Sequence, residues 1–419
     1  MFRNILAGVP VKDSFWSVIA TIIPALMIMA STGVISRNLT NTEFTAYLYI
    51  LGFLVYLIFF DFGFSKALVY FLSQDKQFET QKKIITNVLF FGSMLSGLLV
   101  VVVLFPIVIW YVPNVIEMSD DFIWPLYILL VIVFLFSIIQ QYLLSICEGN
   151  KDFFVLAKYR IFSAFVTSLI PAFSAIMFSE IYYVILGLAA AKVVCCLSIF
   201  YSRKYYQLVS KVYIDWNTIK EIFGYSKGIY ASGLVAPFLG SSDRLVIASP
   251  SFISNSVVYI PAIDMITKLI MIPSAICKVI FVRSVGSNNG LKDTSKFVVH
   301  YYTLSFLMAV AYLYYSSDIL RLWLGPDANI DPMVALSPIF CIGFLCNSLA
   351  QFHCARVLSQ KNGPIRVAKV HLIEMPIYML SAFIMTQSEI SGVIYVAVLW
   401  SSRMFVDYMV MLRLEMDLI

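Results

Sequence analysis

From Val100 to Ile109 no side chain carries a polar atom, and long apolar runs of this kind recur along the whole chain. A helix needs about 20 apolar residues to cross the ~30 Å hydrocarbon core of a bilayer. In lipid every backbone N–H and C=O must be satisfied within its own segment or a closed barrel. A barrel would alternate polar and apolar residues over about ten positions, and the unbroken runs rule that out. With 61% of the 419 residues hydrophobic and 13% charged, there is material for about twelve spans of about 22 residues each. What remains for loops and tails, about 12 residues per segment, is too little for an independent domain. A soluble enzyme, a nucleic-acid-binding domain and an anchored catalytic head are therefore excluded.

Polar interruptions place the first six spans at Phe15–Ile35, Phe44–Ser65, Thr86–Tyr111, Phe122–Ile146, Phe153–Phe178 and Ile181–Tyr201. The second six are Ile222–Ser249, Val257–Lys278, Phe297–Ser316, Met333–Ala355, Val367–Gln387 and Ser391–Met411. Arg3 and Lys12 precede the first run, which is too long for a signal-peptide core and reads as a retained span. Of the 29 Lys and Arg residues, 23 fall at the termini, in the even-numbered connections or at the ends of the spans beside them. The odd-numbered connections hold only Arg37 and Arg321, and are acidic at positions such as Glu43, Glu117, Asp120, Glu180 and Asp327. Positive charge marks the cytoplasmic side, so both termini are expected there, with Asp120 and Asp327 outside. The net charge of +5 then reflects membrane orientation and contact with anionic lipid headgroups rather than nucleic acid.

The longest basic connection divides the chain into six and six, residues 1–205 and 206–419. Tyr47 matches Tyr259 and Lys66 matches Lys278 at one offset, with Pro24 and Pro237 one residue out of it. The expected fold is an all-α polytopic membrane protein, two six-helix halves around a central cavity. Rocking of such halves is the alternating access that this plan permits.

Charges inside the spans are the candidate functional groups, since one facing lipid costs at least about 2.5–3.5 kcal/mol. The bases are Lys192, Arg244, Lys268 and Arg403; the acids are Asp61, Asp243, Asp264, Glu374 and Asp407. Two readings stand side by side. Asp264 with Lys268, and Arg403 with Asp407, are four apart on one helix and could merely neutralise each other, as could the neighbours Asp243 and Arg244. Alternatively the bases line a hydrated cavity for an anionic cargo, with Lys192 supplied by the first half and the others by the second. Asp61, Asp264, Glu374 and Asp407 are the candidate ion-coupling carboxylates, though Asp61 reads equally as a helix-end charge. His371 and Glu374 share a helix face ahead of Pro376, as a proton relay or a satisfied polar pair. His300 and His353 fall near cytoplasmic helix ends, solvated or packed. The seven cysteines lie in or beside apolar stretches without metal-ligand spacing. No catalytic or phosphate-binding motif occurs, so neither cofactor nor resident metal is expected.

Several stretches resemble the Wzx family of polysaccharide-repeat flippases, in the superfamily that includes multidrug and toxic-compound extruders. These are Ile35-Ser36-Arg37 with Glu43-Phe44 and Tyr47; Asp61-Phe62-Gly63 with Ala67-Leu68; Ser242-Asp243-Arg244 through Ile247 with Val258-Tyr259; and Ile319 through Gly325. Tyr259-Ile260-Pro261 departs from the small residues common at that point in the family. The resemblance implies a bacterial inner-membrane protein that flips undecaprenyl-pyrophosphate-linked oligosaccharide outward. Lys192, Arg244, Lys268 and Arg403 would meet pyrophosphate or acidic sugars. A proton or sodium is the candidate coupling ion, and the polysaccharide polymerase and chain-length machinery are candidate partners. The alternatives are a cation-coupled multidrug extruder of the same fold and a membrane glycan polymerase.

Overall fold

The computed structural model describes residues 9–40, 61–74, 85–87, 120–200, 216–247, 256–285, 288–324, 330–387 and 392–417, with scattered positions in 43–51 and 90–102. The described residues contain helices and no strand. In chain order the helices are α1 (Val9–Asn38), α2 (Phe64–Ser73), α3 (Asp120–Gly149), α4 (Phe153–Phe178), α5 (Ile181–Phe200) and α6 (Trp216–Ile247). They continue as α7 (Ser256–Ser284), α8 (Asn288–Leu324), α9 (Asp331–Leu358), α10 (Gly363–Gln387) and α11 (Val393–Met416). Nine helices among the described residues are long and apolar enough to cross a membrane. They coincide with nine of the twelve expected spans. The spans expected at Phe44–Ser65 and Thr86–Tyr111 lie largely outside the described residues, and the Arg244 side chain does so entirely.

The chain forms two compact units, Phe15–Tyr230 and Met1–Ser14 with Ala231–Ile419. In the N-terminal unit α5 packs on α3 and α4, and α2 packs on α3. Its core joins Ile35, Tyr47, Leu126, Val133, Ala175, Val184 and Ile185. Thr40 donates its backbone N–H and hydroxyl to Glu43 Oε2 at 3.1 and 2.7 Å, and the N–H of Ile181 reaches the other oxygen at 3.2 Å. One acid thus satisfies orphan donors at two helix starts. On α4, Phe162, Phe165, Leu169, Phe173 and Ile176 repeat at three- and four-residue steps and all stand exposed. Such a stripe suits lipid rather than water.

The end of the second expected span needs correction. A turn at Asp61–Gly63 precedes Phe64, where α2 begins and runs on to Ser73. Phe62 and Gly63 have φ of 50° and 75°, left-handed values that cannot propagate a right-handed helix. Asp61 Oδ2 accepts the Ser65 backbone N–H at 2.8 Å. Its carboxylate therefore supports the start of α2, the helix-end reading of this residue.

In the C-terminal unit α9 is central, with α7, α8, α10 and α11 packed against it. Tyr259, Ile263, Phe340, Phe344, Val396 and Trp400 belong to its core. A Cβ on Gly343 would collide with the Trp400 ring and the Ser401 hydroxyl, so α9 and α11 approach there only because position 343 lacks a side chain. Gly343→Leu should cost about 1–3 kcal/mol or more through overpacking. It should lower the thermal midpoint of the detergent-purified protein; an unchanged midpoint would mean that α11 is not seated as described. At the other end of these helices, Glu415 accepts from Arg356 and from His353, both at 2.6 Å, and His353 Nε2 meets the Tyr302 hydroxyl at 2.6 Å. His353 is packed, whereas His300 is exposed. The α8 helix exceeds its expected Phe297–Ser316 at both ends, through a mostly polar segment before Phe297 and a mixed one, Ser317 to Leu324, after Ser316. Residues of α1 before Phe15 belong to this unit, where Arg283 donates to Asp13 Oδ2.

Candidate functional site

Three helices of the C-terminal unit converge on a half-buried polar cluster. On α10, His371, Glu374 and Tyr378 recur at i, i+3 and i+7 and share a face. Pro376 lies within this helix; its missing N–H leaves a carbonyl one turn back without its helical partner. On α11, Arg403 and Asp407 are one turn apart. The portion of α6 in the same unit presents Ser232, Val235 and Leu239, and Val235 and Leu239 pack against Tyr378.

The Ser232 hydroxyl and His371 Nδ1 are 2.7 Å apart, and His371 Nε2 stands 4.0 Å from Asp407 Oδ1. One ligand atom from each of His371, Glu374 and Asp407 lies within 4.8 Å of the others. Both Glu374 carboxylate oxygens are buried without a hydrogen-bond partner among the described residues, as is Asp407 Oδ1. Arg403 lies against this group. Its Nη1 donates to the backbone carbonyl of Leu239 at 2.6 Å, and its guanidinium sits 5.4 Å from the Tyr378 ring centroid.

The charges do not balance. Two carboxylates face one guanidinium, and a buried carboxylate with no hydrogen bond is costly unless neutralised. One proton or one monovalent cation completes neutrality, and His371 can supply a further proton or a nitrogen ligand. Separations of this size suit a cation with metal–oxygen distances of about 2.3–2.6 Å without rearrangement.

Of the expected site residues, Glu374, Arg403 and Asp407 are therefore brought together, joined by His371. Arg403 is held by the Leu239 carbonyl of α6 and the Tyr378 ring of α10, beside the two acids. Lys192 lies on α5 in the other unit, its Nζ 3.3 Å from Gln140 Oε1, and Gln140 in turn donates to Ser163. Lys268 is exposed on α7 and Asp264 partly buried one turn earlier. Asp243 is buried and accepts from the Tyr259 hydroxyl at 2.8 Å, which gives it a partner other than its neighbour Arg244. Ser232, Tyr378 and the Leu239 carbonyl were not anticipated. The four-residue step from Glu374 to Tyr378 could have flagged the tyrosine, but nothing in a side-chain pattern marks a backbone carbonyl.

The family described as "Polysaccharide biosynthesis protein" matches residues 11–285. The chain belongs to that family. As a polysaccharide biosynthesis family member it is similar along its length to the "Putative O-antigen transporter" of Shigella flexneri, 25% identical over 406 residues and 95% of each chain. Among solved structures it is similar to the MATE transporter VcmN of Vibrio cholerae, with TM-score 0.80 and 8% identity over 99% of this chain and 97% of that one. It is also similar to a MOP superfamily transporter from Pyrococcus furiosus, with TM-score 0.73 and 12% identity over 98% and 95%. This family member is thus a multi-pass membrane transporter with a MATE-like fold, and the name of its relative speaks for transport rather than catalysis.

Proposed function

We propose that this polysaccharide biosynthesis family member flips undecaprenyl-pyrophosphate-linked oligosaccharide from the cytoplasmic to the outer leaflet of the bacterial inner membrane, by alternating access. A glycan and two phosphate charges cannot cross a ~30 Å hydrocarbon core unaided. The full-length similarity to a protein named for O-antigen transport carries this reading. Lys192, Arg244, Lys268 and Arg403 are the proposed contacts for the anionic cargo. Glu374 and Asp407 are the proposed coupling carboxylates, supported by the two unpartnered oxygens of Glu374; Asp61 and Asp264 are secondary candidates. The coupling ion is a proton or sodium, and the polymerase and chain-length machinery receive the product.

A strain lacking the protein should accumulate lipid-linked repeat unit in the cytoplasmic leaflet. Normal delivery to the outer leaflet in that strain would defeat the proposal, and altered drug resistance without such accumulation would favour the extruder. Both termini are proposed to be cytoplasmic. A phosphatase reporter fused after Glu180 should then be active and one fused after Gln360 inactive, and the reverse pattern would invert the orientation.

A further inference from the structure

The α7 helix presents two contrasting faces. Tyr259, Ala262, Ile263 and Ile266 are buried in the core of the unit. Asp264, Thr267 and Lys268 recur on another side at steps of three and four, Ser274 stands two turns beyond Thr267 at the edge of that side, and none is fully buried. Lys268 lies about 18 Å along the helix from Ser256, at mid-span, and is exposed. An ammonium held there against lipid would cost at least about 2.5–3.5 kcal/mol, so this side of α7 meets water.

Beside it runs a hydrogen-bonded ladder. Ser274 Oγ is 2.6 Å from Gln351 Oε1, and Gln351 Nε2 donates to Asn347 Oδ1 at 2.7 Å, the two amides lying one turn apart on α9. Ser274 Oγ also lies 2.9 Å from the Ile270 carbonyl. The single hydroxyl proton serves one of these acceptors at a time, and each amide can turn over. With Ser274 donating to Gln351, Asn347 offers its amide N–H groups outward. With the ladder reversed, Asn347 donates to Gln351, Gln351 to Ser274 and Ser274 to Ile270, and Asn347 offers its carbonyl outward. Both directions keep every rung satisfied.

We infer that this edge, Asn347 with Gln351 and Ser274, is a contact surface for the hydroxyl groups of the transported glycan. A sugar hydroxyl both donates and accepts, as the reversible ladder does, whereas a phosphate only accepts. Lys268 lies six residues from Ser274, about 9 Å along the helix, and suits the phosphate that carries the sugar while repelling a cationic drug. The inference rests on the flippase reading and adds to it the residues that meet the sugar.

Asn347 is the informative position, because its removal leaves the Ser274–Gln351 tie between α7 and α9 in place. Binding to the purified full-length protein can be measured for two probes. One is oligosaccharide released from the organism's own lipid-linked intermediate; the other is undecaprenyl pyrophosphate without sugar. Asn347→Ala should bind the oligosaccharide about five- to tenfold more weakly and the bare pyrophosphate lipid as wild type does. Gln351→Met, which keeps the side-chain volume, should do the same. Wild-type affinity for the oligosaccharide in both variants overturns the inference, as does parallel weakening of both probes, the mark of a merely structural tie. Wild-type protein that binds no oligosaccharide overturns it too. A protein that binds the sugar through Asn347 yet moves no lipid-linked form upholds the surface and defeats the flippase reading instead.

Discussion

Glu374→Gln should lower gradient-driven transport at least about tenfold while leaving the folded protein as stable as wild type or more so. Glu374 and Asp407 offer oxygens within 4.8 Å of each other. At an effective dielectric of about 20, two full charges that close repel by roughly 3 kcal/mol, part of which Arg403 offsets. The glutamine amide keeps the shape, removes one charge and leaves Asp407 matched with Arg403. Ion-driven switching needs a site whose two occupancies favour different conformations, and a neutral pair has nothing to exchange. Transport down a cargo gradient should persist, since Lys192, Arg244 and Lys268, the cargo contacts outside this cluster, are untouched and Arg403 keeps its charge. Two measurements decide: vesicle transport with and without an imposed ion gradient, and the thermal midpoint in detergent. A variant that is strongly destabilised would mean that Glu374 is a structural charge. One with undiminished gradient dependence would move the coupling site elsewhere, with Asp264 the next candidate.

Arg403→Ala should be the most damaging single change in the cluster. It leaves two carboxylates facing each other without a cation and removes the bond to the Leu239 carbonyl and the contact with the Tyr378 ring. Leaving buried carboxylate oxygens without a nearby compensating cation is costly, on the order of a few kcal/mol, and lower membrane yield and a lower thermal midpoint should follow. Arg403→Lys should recover part of the loss, as a lysine restores the charge but not the planar fork that reaches a carbonyl and an aromatic face together. The charge count makes a sharper test. Arg403→Ala combined with Asp407→Asn should be more stable than Arg403→Ala alone, because the second change removes the uncompensated acid. A double variant no better than the single one would show that the loss came from packing rather than charge.

These expectations come from a cluster that was only partly legible beforehand. The twelve-span plan was readable because lipid imposes one rule, about 20 apolar residues per crossing, and nine of those spans appear among the described residues as helices long and apolar enough to cross. Helix ends were less readable. The α8 helix runs to Asn288 and Leu324, since polar residues beyond the bilayer are as compatible with helix as apolar ones. The turn at Asp61–Gly63 depends on two left-handed residues, one of them Phe62, a residue type that gives no warning of such a backbone. Within the site, the steps from His371 to Glu374 and from Arg403 to Asp407 were readable on single helices. That α10 turns its face to α11 was not, because helical periodicity identifies a face without naming its neighbour. For the same reason Lys192 and Arg403 were assigned one role, whereas Lys192 meets Gln140 in the N-terminal unit and Arg403 meets Leu239 in the C-terminal one.

The central claim, ion-coupled flipping of a lipid-linked glycan, is tested most directly in sealed vesicles containing the purified full-length protein and undecaprenyl-pyrophosphate-linked oligosaccharide. The quantity to follow is the fraction of glycan reachable by an added hydrolase from outside, as a proton or sodium gradient is imposed and then collapsed. The account predicts accumulation on one face that requires the gradient, and loss of that requirement in Glu374→Gln with slow downhill movement remaining. Glycan that stays on its original leaflet with wild-type protein present, or redistribution indifferent to both gradients, would contradict it.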